Sequence, residues 1–238
     1  MDQSAEKLYD TWHEEIAQLE EDHTNGPWHL MTKRHLGDIR GKRVLEIGCG
    51  RGGFSKYLLE CGANLVAADF SPAAVAIAKR LLTDSLPCDV RVADIQNIPF
   101  SDNEFDVVIS LETLEHVPDW EKGLAELVRV TKPDGELIIT TPNYFGSLGL
   151  YRSYRNLTGR PFTEVGQPIN NPLKVKDRVR KLKKLGCQVK VVDGCGHYLY
   201  LPRHNPIRVT WMDNPRFLMK WFAAHALTVS TKGSALKG

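Results

Sequence analysis

The segment Val44–Gly53, which reads VLEIGCGRGG, constrains the fold of this chain more than any other. An apolar run leads into a glycine-rich turn, and an amphipathic stretch follows. This order predicts a buried parallel strand, a loop almost free of side chains, and a helix. Glycines permit positive φ angles and let a ligand approach the backbone, while the helix N-terminus offers free N–H groups. We therefore expect an α/β fold with a ligand site at the sheet edge.

Two classes of adenosine-type cofactor could bind at this glycine-rich loop, and Glu46 distinguishes between them. Gly48, Gly50 and Gly53 satisfy the dinucleotide pattern G-x-G-x-x-G. Asp69 follows at about the distance of an acid that binds the ribose of NAD. However, the carboxylate of Glu46 would point towards the two phosphate charges of NAD. S-adenosylmethionine has a cationic sulfur, an ammonium group and no phosphate. Glu46 therefore favours S-adenosylmethionine over NAD.

Further polar residues follow the next predicted strands. Asp94 comes after a strand at 89–92, where it could accept a hydrogen bond from the exocyclic amine of adenine. The strand at 105–110 leads into a segment that contains Glu112 and His116. Parallel strands end at one edge of a sheet, and open α/β sheets bind ligands outside that edge. The acids and the histidine are therefore expected in one site.

These motifs resemble those of the class I S-adenosylmethionine-dependent methyltransferases. The family's first motif, E/D-x-G-x-G-x-G, is seen here as Glu46 to Gly52, and its later acids as Asp69 and Asp94. A proline- and glycine-marked fifth strand is seen at 132–140. The sequence Leu-Glu-His-Val at 114–117 looks most like the small-molecule branch that includes the ubiquinone-type O-methyltransferases. The resemblance is strong over residues 40–142 and holds only in outline beyond.

The resemblance implies a Rossmann-like, seven-stranded, mostly parallel sheet with helices on both faces and an antiparallel last strand. Residues 1–40 are interpreted as an N-terminal helical cap, with a first helix at about 4–21. Residues 41–238 would form the methyltransferase domain, with insertions at 142–172 and 194–214. Loops this long in a compact domain are more typical of substrate-binding elements than of connectors.

The implied cofactor is S-adenosyl-L-methionine. The residues predicted to bind it are Glu46, Gly48, Cys49, Gly50, Gly52, Asp69, Phe70, Asp94, Ile95, Ser110 and Leu111. His116 is the candidate general base, because an unperturbed imidazole is largely neutral at pH 7. His197 and His204 are alternative bases.

The methyl acceptor is predicted to be a small organic molecule, with a hydroxyl oxygen favoured over nitrogen or carbon. The turn at 110–113 lacks the Asn/Asp-Pro-Pro-aromatic pattern of enzymes that methylate adenine or glutamine. Strand-end acids for magnesium are also sparse, so no metal is expected. Aromatic and arginine side chains in the insertions suit an amphiphilic acceptor. The residues predicted to bind it are Trp12, Glu112, Tyr144, Tyr151, Arg152 and His197.

Composition excludes several other classes. With 42% hydrophobic and 25% charged residues, the 238-residue chain is typical of one globular domain. It has no apolar run long enough to span a membrane and no signal-peptide pattern, so a cytoplasmic protein is expected. Its five cysteines show no C-x-x-C spacing, which favours neither disulfides nor zinc. A homodimer remains open.

The basic stretch at 171–190 raises the question of nucleic acid binding. No aromatic residues are interleaved with it, and single-strand binders need such residues for stacking. We interpret residues 174–185 as a helix that turns Val175, Val179, Leu182 and Leu185 inward and its basic side chains to water. No nucleic acid partner is predicted. An NAD-dependent oxidoreductase and a non-catalytic cofactor-binding partner remain the alternatives from other classes.

Overall fold

The computed structural model describes residues 3–17, 26–82, 88–159, 169–199, 207–213 and 222–234. The strands are β1 Arg43–Ile47, β2 Asn64–Asp69, β3 Asp89–Val92, β4 Phe105–Leu111, β5 Thr131–Pro142, β6 Cys187–Cys195, β7 Tyr198–Leu199, β8 Ile207–Arg208 and β9 His225–Lys232. The helices are α1 Gln3–Ala17, α2 Pro27–His35, α3 Gly53–Glu60, α4 Pro72–Leu82, α5 Trp120–Val130, α6 Ser147–Leu157 and α7 Val175–Lys184.

Seven strands form one sheet in the order β3-β2-β1-β4-β5-β9-β6. Adjacent strands from β3 to β5 run parallel, whereas β9 runs antiparallel to both β5 and β6. The predicted Rossmann-like sheet with an antiparallel last strand is therefore confirmed. β7 and β8 form a separate antiparallel pair.

The sheet is buried on both faces, which explains the continuous apolar runs in its central strands. On one face, Met31 of α2, Phe54 of α3 and Val75 of α4 pack against strand residues. On the other, Leu124 of α5 and Leu182 of α7 do so. The prediction of helices on both faces is thus confirmed.

α1 covers Gln3–Ala17, and the rest of the predicted first helix lies outside the described residues. Two other features differ from those predicted. β5 begins at Thr131, because the chain pairs with Phe105 there and resumes its register at Val107 after an irregularity. The insertion at 142–172 contains α6 rather than loop alone. None of the helices among the described residues is long and apolar enough to cross a bilayer.

Candidate functional site

The loop after β1 exposes bare backbone at the carboxyl edge of the sheet. Gly48, Gly50 and Gly52 have φ angles of 79°, 53° and 84°, a region that residues with a Cβ rarely adopt. A Cβ on Gly48 would lie 2.2 Å from Oγ1 of Thr113, and one on Gly52 would lie 3.0 Å from Cβ of Ala78. Neighbouring elements thus pack directly against the loop, and larger residues would push it out of place.

Two carboxylates flank this loop at the ends of the neighbouring strands. At the end of β2, Oδ2 of Asp69 accepts a hydrogen bond from the backbone N–H of Gly50 at 2.8 Å, and Oδ1 accepts one from Ser71 N–H at 2.9 Å. After β3, Oδ1 of Asp94 accepts one from Gln96 N–H at 2.8 Å. The backbone bonds fix the direction of both carboxylates.

A cleft opens above these groups, and its empty space measures about 740 Å³, part of it open to solvent. This size is typical of small-molecule sites. The cleft is lined by Tyr9, Trp12, His13, Ile47, Gly48, Gly50, Asp69, Phe70, Ala93, Asp94, Ile95, Glu112, Thr113, His116 and Val117. Most of the cofactor-binding residues predicted from the sequence, and the candidate base, thus meet in one place.

Some predicted residues do not line the cleft. Among the cofactor candidates these are Glu46, Cys49, Gly52, Ser110 and Leu111, which lie in β1, in the loop after β1 or in β4. Among the acceptor candidates they are Tyr144, Tyr151, Arg152 and His197. Their binding roles stay predictions. His204 lies outside the described residues.

Glu46 is almost fully buried, with 3% of its surface exposed. Its Oε2 accepts a hydrogen bond from the hydroxyl of Ser55 in α3. Burial is the main cause that raises its pKa to about 8; the Ser55 hydrogen bond opposes this rise, and the nearby charge of Asp69 adds to it. Glu46 thus links β1 to α3 through Ser55, and with this pKa it is largely protonated at neutral pH.

This environment predicts an unusual pH dependence of folding. Between the ordinary pKa of 4.5 and the folded value of about 8, the folded state binds more protons than the unfolded state. The free energy of unfolding should therefore fall as pH rises through this window. In Glu46→Gln this contribution disappears. The thermal midpoint of the variant minus that of the wild type should therefore be larger at pH 8 than at pH 5. Calorimetric melting of both proteins without cofactor measures this. A difference that is the same at both pH values would contradict it.

His116 lies at the end of a short 3₁₀ turn after β4, Leu114–His116. Its Nδ1–H donates a hydrogen bond to the carbonyl oxygen of Ile169 at 2.8 Å. This bond fixes the tautomer, so that Nε2 carries the lone pair. Nε2 is 3.7 Å from a carboxylate oxygen of Glu115, and 15% of the imidazole is exposed. The arrangement can accept a proton from a molecule in the cleft.

The segment at 169–171 holds this turn, a function that the sequence did not indicate. Asn171 donates its N–H to the carbonyl of Glu115 at 2.7 Å and its side-chain amide to that of Val117 at 2.6 Å. The hydroxyl of Tyr144 donates to Oδ1 of Asn170 at 2.6 Å. One end of the predicted acceptor insertion therefore positions His116 from behind.

α1 forms the outer wall of the cleft. Its Asp10 accepts hydrogen bonds from the hydroxyl of Ser71 and from Ala73 N–H, which docks α1 on the first turn of α4. Tyr9 meets Phe70 edge to face, with 6.5 Å between ring centroids. His13 is buried, and burial lowers its pKa. Sequence reasoning found Trp12 but missed Tyr9 and His13, although the helical spacing could have indicated Tyr9.

Residues 45–139 of the chain match the family model described as a methyltransferase domain. Over these residues the chain is similar to a methyltransferase domain. The matched residues include the glycine loop, Asp69, Asp94 and His116.

The chain spans about half of the length of the first curated relatives that it matches. It is 37% identical to a demethylmenaquinone methyltransferase of Clavibacter sepedonicus, over 47% of this chain and 46% of that one. It is 36% identical to a ubiquinone biosynthesis O-methyltransferase of Xanthomonas oryzae pv. oryzae, over 44% and 45%. It is 42% identical to the chloroplastic tocopherol O-methyltransferase of Arabidopsis thaliana, over 42% and 30%.

Solved structures share the fold over nearly the whole chain. A putative methyltransferase from Haloferax volcanii, solved with the Trm112 methyltransferase activator, matches with a TM-score of 0.70 and 19% identity over 98% of this chain and all of that one. A possible histamine N-methyltransferase from Thermotoga maritima matches with a TM-score of 0.65 and 18% identity over 95% and 99%. At these identities the likeness shows the fold alone.

Proposed function

We propose that this protein transfers the methyl group of S-adenosylmethionine to a hydroxyl oxygen of a small organic acceptor, without a metal, and that His116 is the general base. The observation that carries the proposal is the single cleft in which the glycine loop, Asp69, Asp94 and His116 meet. An α/β fold alone would not suffice, because one fold hosts many functions and the site decides between them.

The half of the cleft after β1, β2 and β3 suits the cofactor. Asp69 and Asp94 both line the cleft. Asp69 would accept hydrogen bonds from the ribose hydroxyls, and Asp94 would accept one from the adenine amine. The bare backbone around Gly48 and Gly50 leaves room for the cofactor to lie close to the loop. The match of residues 45–139 to a methyltransferase domain favours S-adenosylmethionine over NAD.

The other half of the cleft, after β4, is left for the acceptor. There Trp12 of α1 lines the cleft together with Glu112, Thr113 and His116. In the transfer, the acceptor oxygen forms a bond to the methyl carbon while the bond from that carbon to sulfur breaks and its electron pair stays on sulfur. The hydroxyl proton passes to Nε2 of His116. Alignment of the two reactants supplies several kcal/mol of the barrier reduction.

Relatives support a hydroxylated aromatic acceptor. Two of them are named as ubiquinone and tocopherol O-methyltransferases. Carbon is the second candidate atom, because another relative is named a demethylmenaquinone methyltransferase. Deprotonation of a phenol also makes its ring carbon nucleophilic, so His116 would serve either reaction.

We predict that Asp69→Ala weakens S-adenosylmethionine binding about ten- to a hundredfold, because hydrogen bonds to an ionised group contribute roughly 1.5–3 kcal/mol. Isothermal titration calorimetry measures the effect. Asp134→Asn is the matched control, since Asp134 is an exposed acid near the start of β5. Equal affinity of Asp69→Ala and the wild type for S-adenosylmethionine would show that Asp69 does not bind the cofactor.

The proposed activity is tested by incubating the protein with isotopically labelled S-adenosylmethionine and a metabolite pool, followed by mass spectrometry. The expected result is label in a small molecule that carries a hydroxyl group or a hydroxylated ring. Release of demethylated cofactor with label only in amines would contradict the proposed acceptor. Cofactor binding with no labelled product from any pool would favour a non-catalytic partner.

A further inference from the structure

Glu112 has a backbone conformation that its residue type rarely adopts. Its φ angle is 48°, in the left-handed region, although it carries a full side chain. Its N–H donates to both the carbonyl and the hydroxyl oxygen of Thr140 in β5, each at 3.1 Å. Strain of this kind concentrates at functional sites, where the surroundings hold it in place. It turns the Glu112 side chain from the end of β4 into the cleft.

The two carboxylate oxygens of Glu112 have different surroundings. Oε2 accepts a hydrogen bond from Nδ1–H of His225 at 2.8 Å. Oε1 is enclosed and accepts no hydrogen bond from any described residue. A carboxylate oxygen that is shielded from water and left without a donor is costly unless a ligand supplies one. Oε1 thus lacks a donor among the described residues, and Glu112 lines the cleft from which a ligand could supply one.

His225 is held in place from three sides. It begins β9, where it pairs with Pro142 of β5 and Cys195 of β6. Its ring packs against Trp28 of α2, with 4.8 Å between centroids. The imidazole therefore fixes the direction of the Glu112 carboxylate from a point two strands away.

The sheet order places this pair on the acceptor side. β2 and β3 lie on one side of β1, and Asp69 and Asp94 follow them. β4, β5 and β9 lie on the other side, and Glu112 and His225 lie at the edge of the sheet where β4 and β5 end and β9 begins. A cofactor held by the first two acids leaves Glu112 facing the second reactant.

We propose that Glu112 and His225 form a hydroxyl-recognition pair in the acceptor half of the cleft. Oε1 of Glu112 accepts a hydrogen bond from a second hydroxyl of the acceptor, distinct from the hydroxyl whose proton passes to His116, and His225 is the positioning residue that orients the carboxylate. This inference rests on the proposed function. It assigns the acceptor to the class of hydroxylated aromatic molecules and predicts that the site discriminates against their methyl ethers.

The test uses a matched pair of probes, 2-naphthol and 2-methoxynaphthalene, titrated by NMR into the full-length protein saturated with S-adenosylhomocysteine. A site built to receive a hydroxyl rejects the analogue that lacks it. We expect the wild type to prefer 2-naphthol by about tenfold or more, because a hydrogen bond to a carboxylate is stronger than one between neutral groups. In Glu112→Gln the preference should fall to about threefold or less. Glu60→Gln, which alters an exposed acid in α3, should retain it.

His225 variants separate orientation from mere packing. His225→Leu removes the donor to Oε2 and should reduce the preference for 2-naphthol, whereas His225→Asn offers an amide N–H in place of Nδ1–H and should restore part of it. A merely structural role would not distinguish the two variants by the probe preference. If Glu112→Gln does not fold, the comparison of His225→Leu with His225→Asn still tests the inference.

The outcomes separate this inference from the proposed function. If the wild type does not bind S-adenosylhomocysteine, the proposed function fails. If it binds the cofactor but shows no preference for 2-naphthol, or if Glu112→Gln keeps that preference, the hydroxyl-recognition pair is wrong and the proposed function stands. If Glu112→Gln weakens cofactor binding and leaves the preference intact, Glu112 belongs to the cofactor half, which also overturns the inference.

Discussion

Replacement of His116 with Asn should lower turnover by about 10²- to 10⁴-fold and leave the affinity for S-adenosylmethionine nearly unchanged. The amide can still donate to the carbonyl of Ile169, so the turn after β4 keeps its anchor. What is lost is the lone pair on Nε2, which would accept the hydroxyl proton. The pH–rate profile of the variant should also lose its acidic limb.

Single-turnover kinetics with labelled cofactor, measured over a range of pH, would test this prediction. His35→Gln is the matched control, because His35 pairs with Asp193 at 2.8 Å and does not line the cleft. Near-normal turnover of His116→Asn with an unchanged pH profile would show that the base is another residue, or that the acceptor needs none.

Arg178→Met should lower the free energy of unfolding by about 3–5 kcal/mol, because each buried acceptor left without a donor costs about 1–3 kcal/mol. The guanidinium has no exposed surface. It donates to Oγ1 of Thr141 and of Thr228 and to the carbonyl of Ala226, at 2.5–3.1 Å. Burial lowers its pKa to about 10, and the charge of Glu112 opposes that shift. Methionine would fill part of the space but leave these acceptors without donors.

Urea denaturation of the protein without cofactor measures the loss. Arg180→Met is the matched control on the same helix, because Arg180 is exposed and pairs only at the surface with Asp177. Its effect should stay below about 1 kcal/mol. Equal effects of the two variants would show that the buried contacts of Arg178 contribute little to stability.

The sheet could be predicted from the sequence because each strand is a local pattern. β1, β2 and β4 are apolar runs bounded by turns, and an acid or a glycine marks each end. The cofactor half of the site follows from the same pattern, because parallel strands bring their ends to one edge. Asp69 and Asp94 could therefore be assigned to that edge without knowledge of any long-range contact.

The missed features all depend on contacts between distant parts of the chain. Arg178 was interpreted as part of a solvated basic face, but its partners on β5 and β9 lie 37 to 50 residues away along the chain. His225 was missed because its partner Glu112 is 113 residues earlier. The anchor of His116 at Ile169 is likewise 53 residues away. Such pairings have no signal in local periodicity, so only the folded chain reveals them.

The cleft is expected to bind S-adenosylmethionine. Titration calorimetry of the purified protein with S-adenosylmethionine, S-adenosylhomocysteine and NADH would test this. We expect saturable binding of the first two ligands, weakened in Asp69→Ala, and no heat of binding from NADH. Binding of NADH with no heat from either sulfur ligand would contradict it.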